Sequence, residues 1–223
     1  MKKFILFFSI AIISTNSFAQ TGGFGMFDAS MRIMDYNPLV SQASHYVVTA
    51  EPTPTLSFGG SGFGFANKWV YGGEGVGLHT SSPDEYTTYD GGYGMFDLGY
   101  LLLAKKGKII FPCVGFGGYN NSVIFSNIGN NNIPFDSLFS SNFIREQTIY
   151  SKGMMIDGSL HFDFLLKGNS GTALGINVGY TYCLSQKTTT VNKIKLDNAP
   201  DFNMNGLHFG LSLGFGGLKE KGD

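Results

Sequence analysis

Leu207-His208-Phe209-Gly210-Leu211-Ser212-Leu213-Gly214-Phe215-Gly216 alternates a large apolar residue with a small or polar one at every step. An extended strand turns successive side chains to opposite faces. Leu207, Phe209, Leu211, Leu213 and Phe215 therefore share one face, and His208, Gly210, Ser212, Gly214 and Gly216 the other. At about 100° per residue a helix would scatter the five large side chains around its axis. The segment reads as a strand with one apolar face and one face of small and polar groups.

Four more segments repeat this pattern. Met154, Ile156, Leu160, Phe162 and Phe164 oppose Met155, Asp157, Ser159, His161 and Asp163. Leu174, Ile176, Val178, Tyr180 and Tyr182 oppose Ala173, Gly175, Asn177, Gly179 and Thr181. Phe96, Leu98, Tyr100 and Leu102 oppose Met95, Asp97, Gly99 and Leu101, and Phe27, Ala29, Met31 and Ile33 oppose Asp28, Ser30 and Arg32. Three glycine-rich segments, 56–66, 69–80 and 108–120, bring the count to eight predicted strands. The linkers 67–68, 105–107 and 166–170 are short, polar and turn-forming. Those at 34–55, 81–87, 121–150 and 184–205 are long, and short and long alternate strictly. That layout fits an up-and-down barrel with turns on one side of a membrane and loops on the other. Pairing of Tyr46 to Thr49 would raise the count to ten. Residues 123–125 and 144–150 are placed to extend one hairpin beyond the membrane.

The first residues address the chain. Lys2 and Lys3 precede an apolar run of about ten residues, followed by Ser17-Phe18-Ala19, the layout of a cleaved secretory signal. Residues 1–19 are expected to be signal and residues 20–223 one barrel domain. No later segment holds 18 consecutive apolar residues, so a membrane crossing by helix is not on offer. In lipid only a closed barrel would then satisfy the backbone. The composition, with 32 Gly, 21 Phe, 11 Tyr and 14% charged residues, suits neither a helical bundle nor a disordered chain. A net charge of −1 and the lack of a basic stripe argue against nucleic acid. Cys113 and Cys183 fall on non-adjacent predicted strands at different heights, beyond the roughly 7 Å Cα reach of a disulfide, and are expected to be unpaired.

Alternation assigns Asp28, Arg32, Asp97, Asp157, His161, Asp163, Asn177 and His208 to the lumen. A barrel of eight strands is just wide enough for side chains to fill, so these groups are expected to form a polar plug, with Arg32 within reach of Asp28 or His208. A proton or ion path is the functional alternative. Trp69, Tyr71, Tyr100, Tyr180 and Tyr182 suit the boundary between hydrocarbon and headgroups. His79 and Ser81 share a strand face, with Glu85 four residues on, the residue types of a nucleophile, its base and an orienting acid. The spacing is unspecific, and no metal-ligand, nucleotide-loop or nucleophile-elbow motif accompanies it.

The signal, the strand from Leu56 to Phe65 and the terminal Leu207 to Gly217 resemble the small outer-membrane barrels of the OmpA/OmpX type. In wording they are most similar to barrels of Bacteroidota. The resemblance implies an all-β, single eight-stranded antiparallel barrel in the cell outer membrane. It further implies a monomer surrounded by lipid, without enzymatic activity, cofactor or metal, whose long loops meet a surface ligand. Lipid A deacylases are barrels of this size with a His-x-Ser pair, which makes a lipid-modifying hydrolase the alternative. A secreted soluble barrel with an apolar interior is the third reading. Such barrels often end on an aromatic residue, whereas here residues 216–223 trail beyond Phe215.

Overall fold

The computed structural model describes residues 20–34, 54–81, 87–126, 146–166, 168, 170–190 and 204–220. The expected signal at 1–19, the Tyr46 to Thr49 segment and Glu85 lie outside the described residues. The strands are β1 (Gln20–Met34), β2 (Thr55–Ala66), β3 (Trp69–Ser81), β4 (Thr87–Tyr100), β5 (Leu103–Lys105), β6 (Lys108–Ser126), β7 (Glu146–Leu165), β8 (Ser170–Cys183), β9 (Lys187–Thr190) and β10 (Gly206–Glu220).

Eight long antiparallel strands close on themselves in the order β1-β2-β3-β4-β6-β7-β8-β10, and β10 returns to β1. The ring has no gap for a further pair of strands. Following hydrogen-bonded partners from Phe24 leads through Phe63, Gly72, Asp97, Gly115, Asp157, Thr181 and Gly206 back to β1 at Met34. The circuit closes ten residues along the strand, which is the shear of the barrel. With a rise of about 3.3 Å and a spacing of about 4.8 Å, that shear tilts eight strands by about 40°.

β5 and β9 are continuations of β4 and β8 across β-bulges. Gly99 pairs with Cys113 but Leu103 with Ile110, so one residue is inserted around Leu101. Met155 pairs with Cys183 but Lys152 with Lys187, a second insertion of the same size. There, the amides of Leu184 and Ser185 both donate to the Met154 carbonyl. Doubled donation to one carbonyl is how a bulge absorbs its extra residue. The alternation pattern did not foresee either bulge.

The tight turns use left-handed backbone at Asn67 (φ 57°) and at Lys106 and Gly107 (φ 52° and 74°). Two-residue hairpins need such angles to match the twist of their strands. β6 and β7 pair as far as Ser126 and Glu146, with Val123 to Phe125 opposite Gln147 to Ile149, the hairpin extension expected of residues 123–125 and 144–150. β10 runs on to Glu220, so Gly216 to Glu220 pairs with Gln20 to Phe24 instead of trailing. Leu218 is buried there, which rewards the longer strand.

The polarity is that of a barrel turned outward. Leu211 is 65% exposed and Ser212 beside it 7%. Phe27, Phe58, Phe96, Val114, Ile176, Leu213 and Phe215 also stand outside. Large apolar residues thus girdle every long strand on the side away from the lumen.

Candidate functional site

The interior has three layers. At the end with the short turns, Phe24, Phe63, Phe65, Val70, Ile109, Phe111 and Leu165 form an apolar plug. Phe111 packs against Phe63 with ring centroids 5.3 Å apart and against Phe65 at 5.9 Å. At the opposite end Met34, Val76, Leu78, Tyr93, Met95, Tyr119, Met155 and Met204 form a second apolar cluster. Polar groups occupy the middle. The expectation of a polar lumen therefore holds for one layer only, because the aromatics of β2 and β6 turn inward near the short turns.

All eight predicted lumen residues are buried: Asp28, Arg32, Asp97, Asp157, His161, Asp163, Asn177 and His208. Arg32 pairs backbone to backbone with His208 but sends its guanidinium elsewhere. Nη1 donates to Thr181 Oγ1 at 2.7 Å, Nη2 donates to the Tyr93 hydroxyl at 2.6 Å, and the guanidinium carbon lies 4.4 Å from the centre of the Tyr93 ring. Thr181 passes the contact on, donating to Asp157 Oδ1 at 2.7 Å, and His208 Nε2 donates to that same oxygen at 3.0 Å. Asp28 hydrogen-bonds Ser212 and Ser61 and makes no bridge to Arg32. The expected ion pair of Arg32 with Asp28 or His208 is replaced by this relay, because the guanidinium turns toward Thr181 and Tyr93. Among the described residues, Asp28 Oδ2 and Arg32 Nε are left without a hydrogen-bond partner.

His161 stands at the floor of the polar layer. It stacks on Phe111 with centroids 4.8 Å apart and planes 4° from parallel, and Ser159 Oγ lies 3.1 Å from its Nε2. Asp163, Asp97, Asn177 and His208 have a feature in common. Each opposes a glycine on the adjacent strand, respectively Gly175, Gly115, Gly210 and Gly179. A Cβ on Gly179 would lie 2.5 Å from His208 Nε2. These inward-facing glycines thus provide the volume in which long polar side chains fold over a narrow lumen.

Glu74 on β3, hydrogen-bonded to the Tyr93 hydroxyl, is the lumen acid that sequence reasoning missed. Its parity with the inward-facing Val70, Val76 and Leu78 is the signal that identifies it. Thr181, Tyr93 and Ser212 were also passed over as partners, since alternation places a residue on a face but does not name its neighbour.

On the outside, Trp69, Tyr71, Tyr180 and Tyr182 are exposed and Tyr100 is half-buried. Trp69 meets Tyr100 edge-on at 5.8 Å, and the Tyr71 ring covers Gly64. Trp69, Tyr71 and Tyr100 stand near the short turns, Tyr180 and Tyr182 toward the other end. His79 and Ser81 face outward at the far end of β3. His79 Nδ1 pairs with Asp90 Oδ1 at 2.5 Å, and Ser81 Oγ lies 3.3 Å from Thr88 Oγ1. Each is engaged by β4, and no contact joins His79 to Ser81. Cys113 and Cys183 are both free thiols. Among the described residues no group of His, Cys, Asp or Glu is arranged to hold a metal ion.

No family model matches the chain, and no curated protein matches it. Among the solved structures similar to it in outline are two outer-membrane proteins. One is Ail, the attachment invasion locus protein of Yersinia pestis, in complex with the heparin analogue sucrose octasulfate. It is 11% identical, with a TM-score of 0.44, covering 90% of this chain and 99% of that one. The other is the outer membrane protein OprG from Pseudomonas aeruginosa, 14% identical with a TM-score of 0.38, covering 93% and 97%.

Proposed function

We propose that the protein is a non-enzymatic transmembrane barrel of the outer membrane, with its short turns toward the periplasm and its long loops at the cell surface. One observation carries the reading: the exposed apolar belt, with Leu211, Phe215, Val114 and Leu213 all more than half exposed. Water would penalise so much apolar surface, whereas lipid solvates it. A soluble barrel with an apolar cavity would need the reverse polarity. The apolar layers above and below the polar relay favour a closed plug over a conduit. The remaining role is structural or one of surface interaction through the loops. Ser81 Oγ is engaged by Thr88 and makes no contact with His79, so the hydrolase alternative lacks a nucleophile–base pair, although Asp90 holds His79 Nδ1 as an orienting acid would.

Cell fractionation with gel migration before and after heating tests the proposal. The expected result is recovery with the outer membrane and a compact form that shifts on boiling. Recovery in the soluble periplasm, with no heat-dependent shift, would overturn it.

A further inference from the structure

The hairpin joining β5 to β6 breaks two local rules at once. Lys105 and Lys108 are direct cross-strand partners, although like charges placed opposite each other destabilise a sheet. Between them Lys106 holds a left-handed backbone at φ 52°, where asparagine or glycine is favoured. Three ammonium groups are thus concentrated on four residues at a cost in local stability. Departures of this kind mark sites where another interaction offsets the loss.

The surroundings identify that interaction. Lys105 and Lys108 face outward in the same row as Phe164, the β7 partner of Lys108. Lys105, Lys106 and Lys108 are exposed, and no carboxylate among the described residues pairs with them. Leu102, Leu103, Phe164 and Leu166 stand exposed beside them. The turn rests against the β7–β8 connection, where the Leu165 amide donates to the Gly107 carbonyl at 2.7 Å. Lys68 and Lys219 lie at the same end of the barrel. Among the described residues of these turns and strand ends, Glu220 is the one acid. Ammonium groups beside exposed leucines, directed sideways into the lipid row, suit a phosphate headgroup with its acyl chains below.

We propose that the Lys105–Lys108 hairpin is a binding site for the phosphate of an anionic phospholipid in the periplasmic leaflet. This rests on the membrane reading above, and the test keeps the two apart. Folding into phosphatidylcholine vesicles, read by heat-dependent migration, reports the membrane reading alone. Lipid selectivity is then read by native mass spectrometry of the full barrel released from micelles holding equal phosphatidylglycerol and phosphatidylcholine. Phosphatidylglycerol should be retained preferentially, and each lysine replaced should reduce that preference about fivefold.

The variant combines Lys105→Gln, Lys106→Asn and Lys108→Gln. Asparagine suits the left-handed turn, so the variant should fold like the parent and lose the preference. Excess inorganic phosphate should leave the lipid bound. Equal retention of the two lipids by the parent, an unchanged preference in the variant, or displacement by free phosphate would each overturn the site. Failure to fold in phosphatidylcholine would instead overturn the membrane reading.

Discussion

Asp157 on β7 and His208 on β10 meet at 3.0 Å although β8 runs between their strands. The contact passes over Gly179, whose missing side chain leaves the room. Gly179→Ala should therefore disrupt it, at the 1–3 kcal/mol or so typical of an overpacked interior. His208→Ala leaves a buried carboxylate short of a partner and should cost about 3–5 kcal/mol. Urea unfolding from lipid vesicles, followed by fluorescence of the single tryptophan, Trp69, measures both. Parental midpoints in both variants would show that the pair does not support the barrel.

Arg32 holds two partners at once, Thr181 and Tyr93, and a lysine cannot reproduce that fork. Arg32→Lys should consequently behave much like Arg32→Met, each losing about 3 kcal/mol. Full rescue by lysine in the same unfolding assay would mean that charge alone matters there.

The aromatic floor should block ions. In planar bilayers the parent is expected to show no steady conductance, whereas Phe63→Ala combined with Phe111→Ala removes two packed rings and should admit measurable current. The double variant should also unfold more readily, each truncation costing about 3–5 kcal/mol. A parent that already conducts would contradict the closed interior.

Leu211, 65% exposed, stands mid-strand on the outer face. Leu211→Arg should destabilise the vesicle-embedded barrel by about 2–4 kcal/mol, the cost of a cation at mid-bilayer on a lipid-facing strand. Leu211→Phe should be close to neutral. Tolerance of arginine would place this face in water.

Much of this arrangement is legible in the chain. Leu207 to Phe215 discloses a two-faced strand because a period of two admits no other regular structure, and the same parity assigns Asp157 and His208 to the interior. Glu74 escapes notice because its strand neighbours, Gly73 and Gly75, carry no side chain to mark a face. The bulges escape for a different reason. An inserted residue at Leu101 or Leu184 preserves local composition and changes only which partner it meets. The glycine-rich segments 56–66 and 108–120 do not announce which face Phe63 and Phe111 take; both lie inside, with Gly72 opposite Phe63 and His161 opposite Phe111. The lysine hairpin is conspicuous only after Lys105 and Lys108 are known to be partners.

The seam between β1 and β10 joins the beginning of the described chain to its end, Gln20 beside Glu220. No partial product can make that junction. A chain lacking its last strand would carry two raw edges, on β1 and β8, each able to recruit a strand from a neighbour. Seating β10 between β1 and β8 is what removes both edges together.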